Sequence, residues 1–367
     1  MRKPVQGGFL LLLMFAICFA DCVADEPNGV GRASIFAGTG RSPDKQTLPY
    51  QANQPSDGRE VALGNPFGVE VVGSRVLVTT VDDQCVWECG LKGHKFRRVV
   101  GSGKQGRSGD NGDALHASFN WPHEVRVDQA GNLFIADTRN HQIRKVDARS
   151  NVASLVAGDG TAGFAGDGAK GTSVRFDQPH SVVLDGAGAL LVADTKNHRV
   201  RKIDLSSGVV STICGDGKKK LPVHGELAVT QSVFGPRSLA VDERSVWLVL
   251  REGNSLWRID RSDGRIYHVA GTGKKGYDGD GGPPREATFR GPKGVAIDSQ
   301  GRVLVVDTEN HAVRRIDAKT NTITTVLGGS RAEQTLSLRR PHGIAPLPDG
   351  GFLVGDSENH RVVQWKD

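Results

Sequence analysis

The sequence predicts an all-β fold, a six-bladed β-propeller of four-stranded antiparallel blades. Three observations lead to this prediction: a segment that recurs six times, a four-strand pattern inside each copy, and one copy that is split between the two ends of the chain. Each copy begins at a proline before a short apolar run; the prolines are Pro66, Pro122, Pro179, Pro236, Pro292 and Pro341. A spacing of 49 to 57 residues indicates a repeat architecture in which each unit stacks on its neighbours.

The copy that begins at Pro122 shows the content of one unit. Short runs rich in Val and Ile lie at 122–128, 133–137, 142–147 and 152–157, and turns containing Gly, Asn or Asp separate them. Runs of this length and composition are typical of antiparallel strands. Because sustained helical periodicity with caps is missing, we expect a four-stranded meander in every copy.

The two chain ends predict closure of a ring. The sixth copy contains its first three strands, at 342–346, 352–356 and 360–366, and then the chain ends one strand short. Residues 33–40, Ala-Ser-Ile-Phe-Ala-Gly-Thr-Gly, resemble the fourth strands of other copies, such as His-Val-Ala-Gly-Thr-Gly at 268–273. We therefore expect the N-terminal strand to complete the last blade, as in a radial propeller.

Residues 1–24 are predicted to form a secretory signal peptide. A short basic start precedes an uncharged apolar stretch over 7–20, and small residues precede Asp25. This stretch is shorter than the about 20 residues that span a bilayer. An uncleaved signal anchor and a lipoprotein attached at Cys22 are the alternatives.

The predicted organisation is a signal peptide over 1–24, a short linker over 25–31 and a single propeller domain over 32–367. Because no later segment is apolar enough to cross a membrane, we expect a secreted or periplasmic protein, and a monomer. The formal net charge is +6 for the whole chain, and it falls to +5 when the signal leaves with two basic residues and one acidic residue. Mild basicity without an aromatic stacking platform disfavours nucleic acid as a partner.

The cysteines beyond the signal argue against disulfides. Cys85 and Cys89 lie on one predicted strand, where a rise of about 3.3 Å per residue puts their α-carbons about 13 Å apart. A disulfide needs about 7 Å or less, and the same separation disfavours a zinc site there. Cys214 takes the place of Ala157 in the neighbouring copy, which indicates a small buried position. We expect three unbridged thiols.

Topology predicts which side of the ring carries function. In an antiparallel blade, strand one begins, strand two ends, strand three begins and strand four ends at the same edge, which also carries the long blade-to-blade linkers. We call this side the loop face and the opposite side the turn face. Long loops on a rigid scaffold are common binding sites.

Basic residues of the loop face predict a rim that attracts an anionic polysaccharide or an acidic protein; they are Lys104, Arg107, Lys218, Lys219, Lys220, Lys274 and Lys275. A solvated surface, partly neutralised by loop aspartates, is the alternative.

The linkers of the loop face are rich in glycine and aspartate, for example over 101–113, 158–168 and 271–282. Glycine at this density indicates positive φ and tight turning. Asp278 and Asp280 weakly match the start of a calcium loop, but the later ligands of such a loop are missing. Turn capping is therefore the expectation for these aspartates, with calcium as the alternative.

Three histidines follow a repeat proline at the start of a predicted inner strand: His123, His180 and His342. In a closed ring they would meet at the mouth of the central channel on the loop face, and three imidazoles suit a catalytic zinc ion with an open position. Arg237 and Lys293 hold the same position in copies four and five, where their charges would oppose a dication. Polar residues lining a wet channel are the alternative.

Four further histidines recur at the turn between strands two and three, each four residues after an aspartate. Their near-interchangeability indicates a structural role, either bonding that aspartate or packing on the next blade. The pairs are Asp137 and His141, Asp194 and His198, Asp307 and His311, and Asp356 and His360. Copies one and four lack this turn motif.

The Pro-x-Gly-Val start, the Asp-Thr-x-Asn-His turn and the Ile-Arg-Lys-Ile-Asp strand together resemble the NHL-repeat family of six-bladed propellers. The resemblance covers residues 32–367 and implies the fold but no single activity, because one fold hosts many. The chain is also distantly similar to peptidylglycine-amidating lyase, which implies zinc-binding histidines at His123, His180 and His342. In the lyase they come from alternate blades, whereas here they lie on blades two, three and six.

Two functions are compatible with the sequence. The first is an exported binding scaffold that holds a protein or an anionic glycan on its loop face. Repeat symmetry favours it, as does the lack of a Gly-x-Ser-x-Gly, P-loop or His-Glu-x-x-His motif. The alternative is a metal-dependent lyase or hydrolase with a divalent metal ion, zinc or calcium, in which Arg237 or Lys293 stabilises developing negative charge.

Overall fold

The structure is a computed structural model that describes residues 31–43, 56–92, 95–329 and 336–367. The predicted signal peptide lies outside these residues. Residues Gly31–Asp367 form one compact unit, and the strands of the described residues form six small antiparallel sheets. No helix among the described residues is long and apolar enough to cross a membrane.

Each sheet is one blade of a six-bladed β-propeller, as predicted, and the first strands of neighbouring blades pack against each other around the channel. The strands are β1 (Arg32–Ala37), β2 (Ser56–Asp57), β3 (Pro66–Val72), β4 (Arg75–Thr80), β5 (Cys85–Gly90), β6 (Lys95–Val100), β7 (Gly112–Asp113), β8 (Pro122–Val127), β9 (Leu133–Asp137), β10 (Gln142–Val146), β11 (Val152–Ala157), β12 (Pro179–Leu184), β13 (Ala189–Asp194), β14 (Arg199–Asp204), β15 (Val210–Cys214), β16 (Pro236–Val241), β17 (Ser245–Leu250), β18 (Ser255–Asp260), β19 (Ile266–Ala270), β20 (Gly294–Ile297), β21 (Val303–Asp307), β22 (Ala312–Asp317), β23 (Thr322–Gly328), β24 (Ile344–Pro346), β25 (Phe352–Asp356) and β26 (Arg361–Lys366).

Blades 1 and 2 contain β2–β6 and β7–β11, and blades 3, 4 and 5 contain β12–β15, β16–β19 and β20–β23. Blade 6 contains β24, β25, β26 and β1. Short 3-10 turns connect some strands; they are Thr138–Asn140, Gly171–Ser173, Thr195–Asn197, Ala228–Thr230, Pro284–Glu286, Thr308–Asn310 and Ser357–Asn359.

The N-terminal strand closes the ring. Strand β1 pairs antiparallel with β26, and its register places Arg32 opposite Lys366. A side chain reinforces the closure, because the Ser357 hydroxyl of blade 6 donates a hydrogen bond to the Pro66 carbonyl of blade 1 at 2.6 Å. The prediction that the first strand of the chain completes the last blade is confirmed.

A hydrophobic core fills each interface between neighbouring blades, because alternate residues of every strand face the next sheet. Between blades 6 and 1, for example, Phe36 and Leu353 pack with Val78 and Trp87. Equivalent clusters join the other five pairs of blades in the described part of the chain. The cores therefore lie between blades, and the channel is lined by the innermost strands.

A buried arginine anchors the glycine-rich linker in three blades. Each guanidinium is fully buried, pairs with an aspartate of the linker, and lies over a phenylalanine ring. The linker pairs are Arg144 with Asp110 at 2.8 Å, Arg201 with Asp167 at 2.6 Å and Arg314 with Asp280 at 2.8 Å. Their rings are Phe119, Phe176 and Phe289. These linker aspartates balance buried charge, a role that differs from the expected turn capping.

Asp280, for which the sequence left calcium open, has its carboxylate occupied by protein donors. One oxygen accepts from Arg314 at 2.8 Å, and the other accepts from the Thr325 amide at 3.0 Å. These bonds explain why an aspartate stands at this place in the linker. An aspartate pairs with the buried arginine in the other two blades as well.

Cys85, Cys89 and Cys214 are buried free thiols, in agreement with the expected absence of bridges among them. Burial raises the pKa of Cys89 to about 12. A thiol with a raised pKa is a poor nucleophile, because only the thiolate reacts.

Candidate functional site

Six side chains, one from each blade, meet in the central channel near the loop face. Each follows its repeat proline and is buried; they are Phe67, His123, His180, Arg237, Lys293 and His342. The imidazoles of His123 and His180 lie 4.8 Å apart between centroids, and His342 stacks on Phe67 at 3.8 Å. The structure thus brings together the five polar side chains that the sequence assigned to the channel mouth. We call this set the channel ring.

His123 is neutral and accepts a hydrogen bond from Arg237. The guanidinium Nη2 lies 2.7 Å from Nε2 of His123, and a guanidinium can only donate. Nε2 must therefore carry the lone pair. Burial, helped by the charges of Arg237 and Lys293, lowers the pKa of His123 well below its usual value.

His180 and His342 take the same tautomer as His123. Nδ1 of His180 lies 2.9 Å from the Thr195 hydroxyl, which donates its own proton to the Pro236 carbonyl at 2.7 Å. Nδ1 must therefore be the donor. Nδ1 of His342 is held likewise by the Ser357 hydroxyl at 2.8 Å. Burial lowers the pKa of both imidazoles well below its usual value.

Arg237 is a buried cation without a carboxylate partner among the described residues. Only 8% of the surface of this residue is exposed, and its Nε atom has no hydrogen-bond partner in the described structure. Burial, and next the charge of Arg251, lower the pKa of Arg237, but a guanidinium stays protonated at physiological pH. A buried charge without a counter-ion is costly.

Lys293 is the second cation of the channel ring, and it has one carboxylate nearby. Its Nζ atom lies 3.0 Å from Glu309 and 3.4 Å from Nε2 of His342. Arg340 also binds Glu309, at 2.8 and 3.1 Å, so the carboxylate is shared. Burial, and then the charge of Arg237, lower the pKa of Lys293 to about 7.

The channel ring fits a zinc ion poorly. Three neutral imidazoles with Nε2 lone pairs have the tautomer that a metal needs, but the lone pairs of His123 and His342 face Arg237 and Lys293. Two cations beside the ligands oppose a dication. No group of three His, Cys, Asp or Glu side chains among the described residues is arranged to hold a metal ion. The metal site stays a prediction, and the geometry favours an anion.

A cavity of about 560 Å³ opens on the loop face beside the channel ring. Glu309 connects the two, because it lines the cavity and binds Lys293. Most of the lining is charged or polar; the residues are Arg251, Glu252, Asn254, Lys275, Arg290, Gly291, Glu309, His311 and Arg340. Four cations face two carboxylates there, so the cavity is electropositive. We call it the loop-face cavity.

Each of the four recurring turn histidines joins its own blade to the following blade. Each has positive φ and accepts, through Nδ1, a hydrogen bond from the backbone N–H just before the next repeat proline. The bonds are His141 to Gln178 at 3.1 Å, His198 to Gly235 at 3.2 Å, His311 to Arg340 at 3.0 Å and His360 to Asn65 at 3.2 Å. Their role is structural, as expected from their recurrence, and the partner lies on the next blade rather than on the aspartate.

Comparison with protein families identifies the repeats. A model of the NHL repeat matches residues 119–146, 176–203, 289–316 and 338–365. These segments correspond to copies two, three, five and six, the same four in which the turn motif was recognised. The chain contains NHL repeats, folded as a six-bladed β-propeller. The prediction of the family from the sequence is confirmed.

Curated relatives of this NHL propeller are distant and longer. It is 24% identical over 320 residues to Protein SUPPRESSOR OF QUENCHING 1, chloroplastic, of Arabidopsis thaliana, covering 83% of this chain and 30% of that protein. It is 28% identical over 235 residues to NHL repeat-containing protein 2 of Gallus gallus, covering 58% of this chain and 32% of that one. The chain thus spans about a third of the length of these relatives.

Solved structures share the fold of the NHL propeller. A protein of unknown function from Bacteroides thetaiotaomicron superposes with a TM-score of 0.64 at 17% identity, covering 92% of this chain and 76% of that one. An auxiliary nutrient binding protein from the same organism also gives a TM-score of 0.64, at 13% identity, covering 91% and 75%. At this identity the likeness shows the fold alone.

The basic residues that the sequence assigned to the rim are dispersed over the loop-face linkers of the NHL propeller. All are exposed, and only Lys275 lines the loop-face cavity; the others are Lys104, Arg107, Lys218, Lys219, Lys220 and Lys274. Some of their charge is balanced locally, as where Lys218 lies 3.2 Å from Asp216. The predicted rim therefore consists of separate charges, of which Lys275 alone belongs to the lining of the cavity.

Sequence reasoning missed the three arginines of the loop-face cavity, Arg251, Arg290 and Arg340. A signal for two of them was present, because Arg290 and Arg340 come two residues and one residue before a repeat proline. Topology puts this position on the loop face in every blade. Arg251 lies in the divergent turn of copy four, where an arginine had no counterpart in the other copies.

Proposed function

We propose that the protein is an exported binding scaffold that holds an anionic ligand on its loop face. The ligand presents carboxylate or sulfate groups, as an acidic polysaccharide or an acidic protein segment does. The observation that carries this proposal is the charge of the loop-face cavity. Lys275 and Arg290 line it without an ion pair to any described carboxylate, while Arg251 and Arg340 are paired.

The paired arginines support selectivity for an anion. Arg251 pairs with Glu252 at 2.6 Å, and Arg340 pairs with Glu309 at 2.8 Å and Glu358 at 3.0 Å. These contacts hold the guanidinium planes in place before a ligand arrives, and a fixed guanidinium suits a bidentate carboxylate or sulfate. The two unpaired cations supply the net attraction.

The size of the cavity and the fold support a binding role. About 560 Å³ falls in the range of small-molecule sites, and it would accept one or two acidic sugar units or one acidic side chain of a larger partner. One solved protein with the same fold is an auxiliary nutrient binding protein. Fold likeness alone does not transfer its ligand to this chain.

Titration calorimetry with defined ligands tests the proposal. The ligands are a sulfated heparin-type oligosaccharide, an oligouronate, a poly-glutamate peptide and a neutral dextran of matched length. We expect binding to the acidic ligands, weaker at 0.5 M than at 0.05 M salt because exposed charges are screened. The two glycans and the peptide identify the class of ligand. Equal affinity for the dextran would contradict the proposal.

Charge reversal locates the binding surface. The double variant Lys275→Glu and Arg290→Glu should lose at least about tenfold in affinity, since both side chains are exposed and unpaired. Arg149→Glu is the matched control, because Arg149 is exposed on the turn between β10 and β11 on the opposite face. A loss that is equal in the control would move the ligand away from the loop-face cavity.

Export rests on the pattern of residues 1–24, and N-terminal sequencing tests it separately. Protein recovered from outside the cytoplasm should begin at or near Asp25. A chain that keeps Met1 and remains in the membrane fraction would support the signal-anchor alternative.

A further inference from the structure

We infer that the channel ring holds one small monovalent anion of halide size, bound between Arg237 and Lys293. This inference is independent of the ligand of the loop-face cavity. It concerns a buried site inside the channel, and the cations that form it are different from those that line the cavity.

The charges of the channel ring are unbalanced. The ring contains one permanent cation, Arg237, a lysine that is partly protonated near neutral pH, three neutral imidazoles and one phenyl group, and no carboxylate. Lys293 shares Glu309 with Arg340, whereas Arg237 has no carboxylate within 4 Å among the described residues. A buried cation is normally paired. An anion beside Arg237 would remove this cost.

Arg237 also has a buried donor without a hydrogen-bond partner in the described structure. Nη2 is bonded to His123 at 2.7 Å, while Nε is buried and has no hydrogen-bond partner in the described structure. Buried donors without a partner are rare and call for an explanation. An anion that accepts from the guanidinium and from Nζ of Lys293 explains the orphaned donor and the missing counter-charge together.

Glu124 is the carboxylate that could compete for this role. It lines the same part of the channel but binds elsewhere: its carboxylate accepts from Arg126 at 2.6 Å and from the Val182 amide at 3.1 Å. Arg126 also lies 3.5 Å from Glu70. Glu124 is thus held by its own cation on the turn-face side, and it forms no ion pair with Arg237.

The free space sets the size of the anion. Phe67, His123, Arg237 and Lys293 line a channel section with about 10 Å³ of free volume. This is close to the lower limit for one water-sized species. A chloride ion is somewhat larger than a water molecule and needs a small outward shift of the lining side chains, whereas a sulfate, a phosphate or a sugar carboxylate needs them to move much further apart. Chloride is the probe that follows from this size.

Bromide in place of chloride gives a direct test. Crystals grown or soaked in sodium bromide should show one anomalous peak in the channel, within about 3.5 Å of Arg237 and Lys293 nitrogen atoms. Crystals of the Arg237→Gln variant should lack that peak. A water molecule without anomalous signal would overturn the inference, and peaks at surface lysines alone would mean an adventitious ion only.

Solution measurements keep the test decisive if the variant fails to crystallise. The wild type should have a higher thermal midpoint in chloride than in gluconate at equal ionic strength. Its free energy of unfolding should rise by about 1.4 kcal/mol for each tenfold increase in chloride concentration above the Kd. Arg237→Gln and Lys293→Met should lose this chloride dependence, while Arg149→Gln on the turn face should keep it. Equal dependence in all four proteins would overturn the inference.

Discussion

The side-chain oxygen of Gln84 accepts a hydrogen bond from the backbone N–H of Trp121 at 2.8 Å. This bond joins blade 1 to blade 2 at the place where histidine joins four other pairs of blades. In blade 4 the oxygen of Asn254 accepts from Gly291 at 2.9 Å. Copies one and four therefore lack the residue types of the turn motif but keep the hydrogen bond that the motif makes.

The six joining residues share two physical requirements, an acceptor atom at a fixed reach and a backbone with positive φ. The φ angles are 54° at Gln84, 55° at His141 and 43° at Asn254. Asparagine and histidine tolerate this region better than most residues. The acceptor satisfies a backbone donor between two blades, where an unpaired N–H would be costly.

Removing one of these acceptors should destabilise the ring. We expect His141→Gly to lower the free energy of unfolding by about 1–3 kcal/mol, since it strands a backbone donor while glycine tolerates the positive φ. His141→Asn should recover part of this loss, because asparagine performs the role in blade 4. Denaturant unfolding measures both, with the exposed His116→Gly as control. A His141→Gly protein as stable as the wild type would contradict the assignment.

Asp83 provides a prediction with a defined pH dependence. It is fully buried, its carboxylate oxygens accept no hydrogen bond of good geometry in the described structure, and burial, which outweighs weak bonds from Thr80 and Gly64, raises its pKa to about 7. The unfolded value is close to 4. Between pH 4 and pH 7, Asp83 is protonated in the folded protein and ionised in the unfolded chain. The resulting stability is complete below about pH 4 and is lost as pH rises through 7.

Asp83→Asn should therefore stabilise the protein at high pH. Asparagine cannot ionise, and asparagine stands at the equivalent place in four other blades, as at Asn140. We expect the variant to exceed the wild type by at least about 1 kcal/mol at pH 8 and by little at pH 4.5, measured by denaturant unfolding. Because Asp137, Asp194 and Asp307 have pKa values raised by burial in both proteins, the difference isolates Asp83. A difference independent of pH would show that Asp83 is not the titrating group.

Much of the fold was predictable because it rests on local pattern. Alternating apolar runs specify strands, glycine and asparagine specify turns, and the split sixth copy specifies closure by β1. These signals depend on neighbouring residues, so one chain is sufficient to read them. The same topology put His123 and Arg237 in one channel, because both occupy the first inner position of a blade.

The rest depended on chemistry that residue identity does not show. Gln84 and Asn254 replace histidine because each offers an acceptor atom on a backbone with positive φ. Comparison of residue types alone does not reveal this equivalence. Arg340 reaches Glu309 on the preceding blade, and that contact is set by the curvature of the ring. The tautomer of His123 follows from a guanidinium donor 114 residues away in the chain. Long-range side-chain geometry was therefore the missing information.

The buried arginines should be costly to remove. Arg314→Leu leaves Asp307 and Asp280 without their guanidinium, and breaking a buried pair typically costs about 3–5 kcal/mol. Arg315→Leu is the matched control on the same strand, because its ion pair with Asp367 is partly exposed and such pairs contribute about 0–1 kcal/mol. Denaturant unfolding of both variants makes the comparison. Equal losses would mean that the linker contact at Asp280 does not contribute to stability.

Metal content decides between the anion and the zinc interpretations of the channel ring. We expect the exported protein to contain no stoichiometric transition metal by elemental mass spectrometry, because Nε2 of His123 accepts from Arg237 and that of His342 faces Lys293. The double variant Arg237→Met and Lys293→Met removes both cations and leaves three neutral imidazoles with free lone pairs. It should therefore bind zinc more tightly than the wild type, by at least about tenfold in a competition titration. The His123→Ala, His180→Ala and His342→Ala triple variant is the control for zinc held elsewhere. One equivalent of metal in the wild type that is lost in the triple variant would establish the metal site and return the lyase or hydrolase hypothesis to first place.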